Sequence, residues 1–321
     1  MEFPVTLRAA IEQRAAQYTP AQLKALSQQL TLRYHTQSGR GQSLLSQGDE
    51  ALAYAAVRMP ATFGAVCGAL EHTLPALSVL PKTLLDVGAG TGAASWAAAS
   101  LLELEGITCF EREPAMRILG QALMQSGFAP LPGARWVAGD ALRDALPAGA
   151  DMVLASYMLN EFSPQQRAQT VHWLWAAAGQ LLVILEPGTP VGFALLREVR
   201  QQLLAEGAYL AAPCAHTGPC RLAGDDWCHF SARIARSRLH RLLKEGDVPY
   251  EDEKYAYLAF SKTPVQPAAA RILRHPKAAK GQITLSLCCP DANRELTVRK
   301  RDGDAFKAAR KAGWGDAFTP I

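Results

Sequence analysis

The ten residues TLLDVGAGTG, from 83 to 92, constrain the fold of this chain more than any other stretch. An apolar run that contains Asp86 leads into Gly88, Gly90 and Gly92, and small residues follow directly. Glycines at the end of a strand let the backbone approach a ligand where a Cβ atom would collide with it. The stretch therefore predicts a strand, a ligand-binding loop and a helix in direct succession.

Strands and helices alternate from residue 81 onward. Apolar runs predict strands at 83–90, 106–113, 134–140, 151–159, 180–188 and 255–262. Helical patterns are found at 92–105, 114–128, 163–179 and 191–207. Ser163 and Gln166 form a capping-box signature at the start of one of these helices. Since each strand is apolar along its length, we expect a parallel sheet covered by helices on both faces.

The pattern divides the chain into a helical N-terminal region at 1–80, an α/β domain at 81–265 and a basic C-terminal extension at 266–321. A cysteine-rich insertion at 209–247 interrupts the domain. Within the N-terminal region we expect a loop at 38–49 and a helical segment that is broken at Pro60.

The composition is that of an ordinary globular protein, with 49% apolar and 19% charged residues. The longest apolar runs are too short to cross a bilayer. The N-terminal residues lack the basic start and apolar core of a secretory signal. We therefore expect a cytoplasmic protein without a membrane partner. The seven cysteines would not form a disulfide framework in a reducing compartment.

Three of the cysteines, Cys214, Cys220 and Cys228, lie within fifteen residues. Their C-x5-C-x7-C spacing matches neither the C-x2-C of zinc ribbons nor the common ferredoxin run. Three thiolates leave a four-coordinate site one ligand short, and either Cys288 or Cys289 could complete it. On spacing alone, a metal site is favoured and zinc ranks ahead of an iron–sulfur cluster.

Other residues compete for the metal or bear on the partner. His216 and His229 are alternative ligands.

From residue 271 to the end, 11 Lys and Arg residues stand against 5 Asp and Glu, which favours a polyanionic partner. The basic residues are Arg233, Arg236, Arg238, Arg241 and Lys244 before Glu245, and Arg299, Lys300, Arg301, Lys307, Arg310 and Lys311 in the tail. Phe306 and Trp314 could stack on a base, while a solvated basic helix face is the alternative interpretation.

The loop reads G-x-G-x-G after an acid, which is not the dinucleotide fingerprint and resembles the class I S-adenosylmethionine-dependent methyltransferases. The resemblance implies that Asp86, Gly88, Gly90 and Gly92 belong to the site for the methionine part of the cofactor. It further implies that Glu111 binds the ribose, with Glu113 as a less favoured choice, and that Asp140 lies on the adenine side. Asn160, with Glu161, follows the fourth strand where substrate and cofactor meet, although both residues could instead cap the next helix.

The combination of DVGAGTG, PCAHTGPC, WCHF, LCCPD and WGD resembles a narrower family, the methyltransferase-like proteins of the mitochondrial small ribosomal subunit and their bacterial relatives. The resemblance extends from about Tyr54 to Asp316. It implies a structural [4Fe–4S] cluster on Cys214, Cys220, Cys228 and one of the Cys288–Cys289 pair. We prefer Cys288, because alternation along ITLSLCC puts it opposite Leu287 and Cys289, although the strand pattern excludes neither cysteine.

We therefore expect an α/β protein with a class I methyltransferase (Rossmann-like) sheet, a helical N-terminal region, a cysteine-rich metal insertion and a basic C-terminal extension. The expected function is that of an S-adenosylmethionine-binding, methyltransferase-like protein that acts on the small ribosomal subunit and its rRNA during ribosome assembly and translation. It would be an rRNA methyltransferase or, as an alternative, a non-catalytic RNA-binding assembly factor. A small-molecule methyltransferase is the third interpretation. No residue is assigned as catalytic.

Overall fold

The structure, a computed structural model, describes residues 2–37, 48–222, 224–244 and 248–320. The helices are α1 (Val5–Ala15), α2 (Pro20–Gln37), α3 (Gly48–Thr73), α4 (Ala93–Leu101), α5 (Pro114–Met124), α6 (Pro164–Ala177), α7 (Pro190–Ala205), α8 (Arg238–Lys244) and α9 (Asp304–Lys311). The strands are β1 (Thr83–Val87), β2 (Gly106–Glu111), β3 (Arg135–Ala138), β4 (Ala150–Ser156), β5 (Ala178–Pro187), β6 (Tyr209–Ala212), β7 (Phe230–Ala235), β8 (Tyr250–Ser261), β9 (Arg271–Ile272), β10 (Lys277–Ala279), β11 (Gln282–Cys288) and β12 (Asn293–Arg299).

The chain forms two units. Unit 1 comprises Met1–Gly68, Pro81–Leu182 and Ala232–Glu253, and unit 2 comprises Ala69–Leu80, Val183–Ser231 and Lys254–Ile321. The domain boundaries expected from the sequence stay a prediction. Among the described residues, no helix combines the length and the apolar character needed to cross a membrane.

Unit 1 contains the strand order β3-β2-β1-β4-β5, and β1 pairs in parallel with both β2 and β4. The order reverses between β1 and β4, as in doubly wound, Rossmann-like folds. In such sheets, ligands bind beside the carboxyl ends of the strands at this reversal. The predicted α/β fold with parallel strands is confirmed for these elements, and the capping box of Ser163 and Gln166 at α6 is confirmed as well.

The predicted break at Pro60 is wrong, because α3 continues through this residue. A proline inside a helix removes one backbone hydrogen bond. The side chains of Met59 and Phe63, on either side of Pro60, are fully buried, and tertiary packing of this kind stabilises a helix more than local propensity does. Most of the predicted loop at 38–49 lies outside the described residues.

Unit 2 contains the order β5-β8-β6, in which β6 and β8 run antiparallel. The expectation of a purely parallel sheet therefore fails for these strands. The C-terminal residues form a second, antiparallel sheet in which β11 pairs with β9, β10 and β12. Ile283, Leu285 and Leu287 alternate along β11 and face an apolar core that includes Ala309 of α9. The predicted basic extension thus has a folded core of its own.

Candidate functional site

The backbone of the glycine loop after β1 is itself the site-forming element. Gly88, Gly90 and Gly92 have positive φ angles of 67°, 56° and 85°, a region that L side chains rarely adopt. A Cβ atom on Gly90 would meet nothing within 4 Å, whereas one on Gly92 would lie 2.5 Å from the Met124 side chain. Gly90 therefore leaves space for a ligand, and Gly92 supplies the left-handed conformation at the N-cap of α4.

Asp86 lies fully buried on β1 and fixes the start of α4. Its Oδ2 accepts hydrogen bonds from Ser95 N at 3.1 Å and from Ser95 Oγ at 2.7 Å. Its Oδ1 has no partner within the described part of the chain. Burial raises the pKa of Asp86 to about 7, although the two hydrogen bonds from Ser95 act in the opposite direction. Asp86 therefore supports the loop from the protein interior.

A cavity of about 130 Å³, here called the cofactor cavity, lies at the carboxyl ends of the strands in unit 1. Gly88, Gly90, Glu111 and Asp140 line this cavity, which brings together four residues of the predicted cofactor set. Asp86 and Gly92 do not line the cavity, and they instead fix the start of α4 behind the loop. Asn160 is exposed and does not line the cavity.

Backbone N–H groups hold the two predicted acids in place. Glu111 accepts a hydrogen bond from Gly90 N at 2.7 Å and another from Glu113 N at 2.8 Å. Asp140 Oδ1 accepts one from Leu142 N at 2.9 Å. Burial raises the pKa of Glu111, while these backbone hydrogen bonds oppose the increase. Both carboxylates therefore line the cavity and are held in place by backbone hydrogen bonds.

The cofactor cavity is rich in acidic side chains. Glu111, Glu113, Asp140 and Glu161 all line it, together with the cation Arg112. Arg112 lies 3.2 Å from Glu113 and 3.4 Å from Glu161. Burial raises the pKa of Glu161, Arg112 opposes this, and the other acids add to the increase. The arrangement favours a ligand that carries positive charge.

Tyr157 was missed by sequence reasoning. It has a φ of 58°, and it is the one non-glycine residue with positive φ in the described ranges. Its hydroxyl donates a hydrogen bond to Glu253 Oε1 at 3.3 Å, and Arg58 donates to the same oxygen at 3.0 Å. No local pattern marks a tyrosine for this conformation, which costs about 1–3 kcal/mol where the surrounding structure imposes it. The strain lies beside the cofactor cavity, as backbone strain at ligand sites often does.

Unit 2 contains a second cavity, of about 40 Å³, here called the cysteine cavity. The four predicted ligands Cys214, Cys220, Cys228 and Cys288 all line it. Cys289 packs instead into the C-terminal core with Leu285 and Leu287. Burial raises the pKa of Cys214 to about 11, and the neighbouring Cys288 and Cys220 thiols act in the same direction.

The two competing histidines differ in position. His216 lines the cysteine cavity, and its Nδ1 lies 3.1 Å from the carbonyl oxygen of Gly218. His229 is buried outside the cavity, where its ring stacks on Trp227 at 4.9 Å and contacts the Trp314 ring at the same distance. Trp314 is therefore part of an aromatic cluster. Phe306 packs against the C-terminal core and is half-buried, so its predicted availability for base stacking is not supported by its position.

The basic segment at 231–244 is partly neutralised. Arg233 donates to Asp252 at 2.7 and 2.8 Å, and Arg236 lies 3.4 Å from Glu251. Lys244 also forms an ion pair with Glu251. The acids belong to β8, so a reading of the segment alone could not reveal them, and Glu245 lies outside the described residues. Arg233, Arg236 and Lys244 thus pair with acids of the chain itself, and the expected contact of this segment with RNA stays a prediction.

The basic residues of the C-terminal tail are less neutralised by ion pairs than those of the segment at 231–244. Arg299, Lys300, Lys307, Arg310 and Lys311 are exposed on the end of β12, the turn that follows it and α9. Lys307 pairs with Asp304 at 2.8 Å, whereas Arg310 and Lys311 make no ion pair within the ranges that the structure covers. We call Arg299, Lys300, Arg301, Lys307, Arg310 and Lys311 the tail basic surface.

Curated proteins similar to this chain are mitochondrial by name. The human protein "Ribosome assembly protein METTL17, mitochondrial" is 29% identical over 293 residues, which cover 83% of this chain and 61% of that protein. Two tandem proteins of Schizosaccharomyces pombe, "Rsm22-cox11 tandem protein" 1 and 2, mitochondrial, are 26% identical over 215 residues, 52% of this chain and 29% of theirs. The chain thus spans less than two thirds of the length of these relatives.

Solved structures with a similar arrangement are methyltransferases by title. Magnesium protoporphyrin IX methyltransferase from Synechocystis, with bound SAM, has a TM-score of 0.41 and 12% identity, over 73% of this chain and 97% of that one. An O-methyltransferase family 2 protein from Planctomyces limnophilus has a TM-score of 0.44 and 17% identity, over 68% of this chain and 62% of that one.

The expectation of a cytoplasmic location is contradicted, because the family description and the names of the relatives are mitochondrial. Composition and cysteine content do not choose among the compartments of a cell. The family model described as "Mitochondrial small ribosomal subunit Rsm22" matches residues 48–319, most of the chain. The chain therefore belongs to the Rsm22 family.

Proposed function

We propose that this protein is a ribosome assembly factor that binds S-adenosylmethionine in unit 1, holds a [4Fe–4S] cluster in unit 2 and contacts the small ribosomal subunit through its tail basic surface. The relatives support a mitochondrial location for this role. The observation that carries the proposal is the convergence of four cysteines from separate segments on one cavity in an Rsm22-family chain.

The residues of the cofactor cavity fit S-adenosylmethionine. Gly90 presents backbone without a side chain, and Glu111 and Asp140 present fixed carboxylate oxygens. A carboxylate can accept two hydrogen bonds at once, which suits a ribose with two hydroxyl groups. The acids around the cavity suit a cationic sulfonium. When bound, the cofactor would supply an electrophilic methyl group.

The cysteine cavity fits a cluster by the chemistry of its donors. Four thiols are the ligand set of a [4Fe–4S] cluster. Within the residues that the structure describes, no group of three or more His, Cys, Asp or Glu side chains is arranged to hold a metal ion. Four thiolates are also the donor set of structural zinc sites, so the donors alone fit both groups. We rank the cluster ahead of zinc because the resemblance to the family implies it.

The cluster would order the segment that carries three of the four cysteines. The described residues between 213 and 229 belong to neither a helix nor a strand. Thiolate bonds from this segment and from Cys288 would join it to β11. Metal binding can provide the folding free energy that a short apolar-poor segment lacks.

The tail basic surface supports an RNA partner. Neutralising phosphates releases counterions, so affinity should fall steeply with salt. The test is the binding of small-subunit rRNA fragments across a salt series, with the double variant Arg310→Glu/Lys311→Glu. We expect weaker binding and a log–log salt slope that is shallower by about 0.7–0.9 for each lost phosphate contact. Arg135→Glu, an exposed change on β3, is the matched control. Salt-independent binding, or an unchanged slope in the double variant, would contradict the proposal.

Methyl transfer to rRNA is the second candidate function, and the acidic cofactor cavity is the observation that bears on it. The test supplies radiolabelled S-adenosylmethionine and immature small subunits to the wild type and to Gly90→Ala. Label in rRNA that depends on Gly90 would establish an rRNA methyltransferase. Subunit binding without label would establish an assembly factor that retains the cofactor fold.

A further inference from the structure

The cysteine cavity is also lined by two buried arginines, Arg200 of α7 and Arg271 of β9. Arg200 is 6% exposed and Arg271 is 3% exposed. Neither forms an ion pair with an acidic side chain in the described ranges. Burying a guanidinium without an anion is unfavourable, because the charge loses its hydration and gains no opposite charge in return.

Arg200 fixes the peptide between two of the cysteines. Its Nη2 donates hydrogen bonds to the carbonyl oxygens of His216 at 2.7 Å and of Gly218 at 2.8 Å. Both carbonyls lie between Cys214 and Cys220. Its Nε is buried without a partner among the described residues. Arg200 therefore shapes the loop and keeps unsatisfied positive charge at the cavity.

Arg271 connects three parts of unit 2. Its Nε donates to the carbonyl oxygen of Pro213 at 2.8 Å, directly before Cys214, and its Nη1 donates to that of Gly315 at 3.0 Å. Arg271 also stands opposite Cys288 in the pairing of β9 with β11. Asp316 is paired with another residue: its pKa is lowered chiefly by a hydrogen bond with His72, and Arg271 adds a smaller effect.

The positive charge of these two arginines is complementary to the negative charge of the four cysteine thiolates. Four thiolates bring four negative charges, and a tetrathiolate cluster remains an anion after its iron and sulfide ions are counted. Other acids do not line the cysteine cavity within the described residues. Removing one partner from a set of buried opposite charges is strongly destabilising, because the remaining charge is left uncompensated.

We propose that Arg200 and Arg271 are positioning residues that hold the cysteine-bearing segments in register and supply the positive countercharge of the thiolate-ligated centre. This inference rests on the proposed [4Fe–4S] cluster. One-electron reduction makes such a centre more negative, so neighbouring cations stabilise the reduced form and raise the reduction potential. The potential is therefore a readout of the charge, and no redox reaction in the cell is implied.

The test compares two substitutions at one position in anaerobically purified full-length protein. Arg200→Gln removes the charge and keeps a hydrogen-bond donor, whereas Arg200→Lys keeps the charge. Arg135→Gln, exposed on β3 of unit 1, is the matched control. Iron and sulfide per chain, the midpoint potential in a dithionite titration, and the rate of iron release to a chelator are measured for each protein.

We expect Arg200→Gln to shift the midpoint potential to a more negative value and to release iron several-fold faster than the wild type. Arg200→Lys should keep the potential near that of the wild type, and the control should match the wild type in every measurement. If Arg200→Gln does not accumulate as folded protein, Arg271→Gln is measured instead, because both arginines make the same prediction.

Two different failures can be told apart. A wild-type protein with a full cluster and an Arg200→Gln variant with unchanged potential and release rate would overturn the inference alone. A Gln and a Lys variant that lose iron equally, with equal shifts in potential, would overturn the countercharge, because the hydrogen-bond geometry of Arg200 alone would then account for the effect. A wild-type protein without iron and sulfide would overturn the proposed cluster itself.

Discussion

The cofactor cavity and the cysteine cavity are built in different ways. In the first, backbone groups at the ends of neighbouring strands define the site, and the glycine loop needs no side chain to do so. In the second, side chains from segments between Cys214 and Cys288 converge, and arginines tie those segments to one another through carbonyl oxygens. A site made by backbone should tolerate loss of one side chain, whereas a site made by side chains should depend on each of them.

The largest effect is expected at the fourth cysteine. Cys288→Ser should lower iron from about four atoms per chain to nearly none and should increase hydrogen exchange in the segment from 213 to 229. Cys289→Ser, at the neighbouring position in the C-terminal core, is the control and should keep its iron. Iron analysis of both proteins checks this. The reverse result would assign the ligand to Cys289 and contradict the position of Cys288 as the cysteine that faces the cavity.

The titration of Asp86 tests how a buried side chain behind the glycine loop affects the stability of the fold. Its folded pKa of about 7 exceeds the ordinary value of 3.8, because burial favours the protonated form. The folded state therefore binds more protons between these values, so its contribution to stability falls as pH rises from about 4 to 7. Ser95, Cys109 and Glu111 are its polar neighbours.

Asp86→Asn removes this titration. At pH 8 we expect the free energy of unfolding of the variant to exceed that of the wild type by about 4 kcal/mol, with the difference vanishing near pH 4. Denaturant unfolding of the ligand-free proteins at several pH values provides the measurement. Parallel pH curves for the two proteins would show that Asp86 does not titrate as described.

A substitution at Gly90 tests whether the cofactor cavity depends on backbone that carries no side chain. Gly90→Ala places a methyl group in the cavity and strains a residue with φ of 56°. Gly207 has a φ of 82° and open space around it in unit 2, so Gly207→Ala carries similar strain away from the site. We expect Gly90→Ala to weaken S-adenosylmethionine binding about tenfold, or about 1.4 kcal/mol, and Gly207→Ala to leave it unchanged in calorimetry. Equal weakening in both would refute a local effect.

The smallest effect concerns the acids of the cofactor cavity. S-adenosylhomocysteine lacks the sulfonium charge of S-adenosylmethionine, so an acidic cavity should favour the latter. Glu161→Gln should weaken binding of S-adenosylmethionine about threefold, or about 0.6 kcal/mol, with less change for S-adenosylhomocysteine. Calorimetry with both ligands measures the ratio, and Glu103→Gln, exposed and outside the cavity, is the control. An unchanged ratio would mean that the acids do not sense ligand charge.

Local patterns in the sequence predicted the parts of the molecule that depend on local physics. The glycine loop, the apolar strands of unit 1 and the capping box of Ser163 and Gln166 all follow from residues close together in the chain. Alternation along ITLSLCC excluded neither Cys288 nor Cys289. In the structure Cys288 lines the cysteine cavity and Cys289 packs in the core, and the assignment of the fourth ligand stays a prediction.

The missed features depend on residues that are distant in the sequence or on packing. The ion pairs of Arg233 and Arg236 use acids of another strand. Pro60 stays helical because of tertiary contacts, and the left-handed Tyr157 has no local signature. The buried charge of Arg200 could not be seen either, since burial of an arginine is a property of the fold.

The central claim is that the four cysteines hold a [4Fe–4S] cluster that orders the segment from 213 to 229. The most direct test is to purify the protein without oxygen and to measure iron, acid-labile sulfide and zinc per chain. We predict about four irons and about four sulfides with no zinc. One zinc without sulfide, or no metal at all, would contradict the claim.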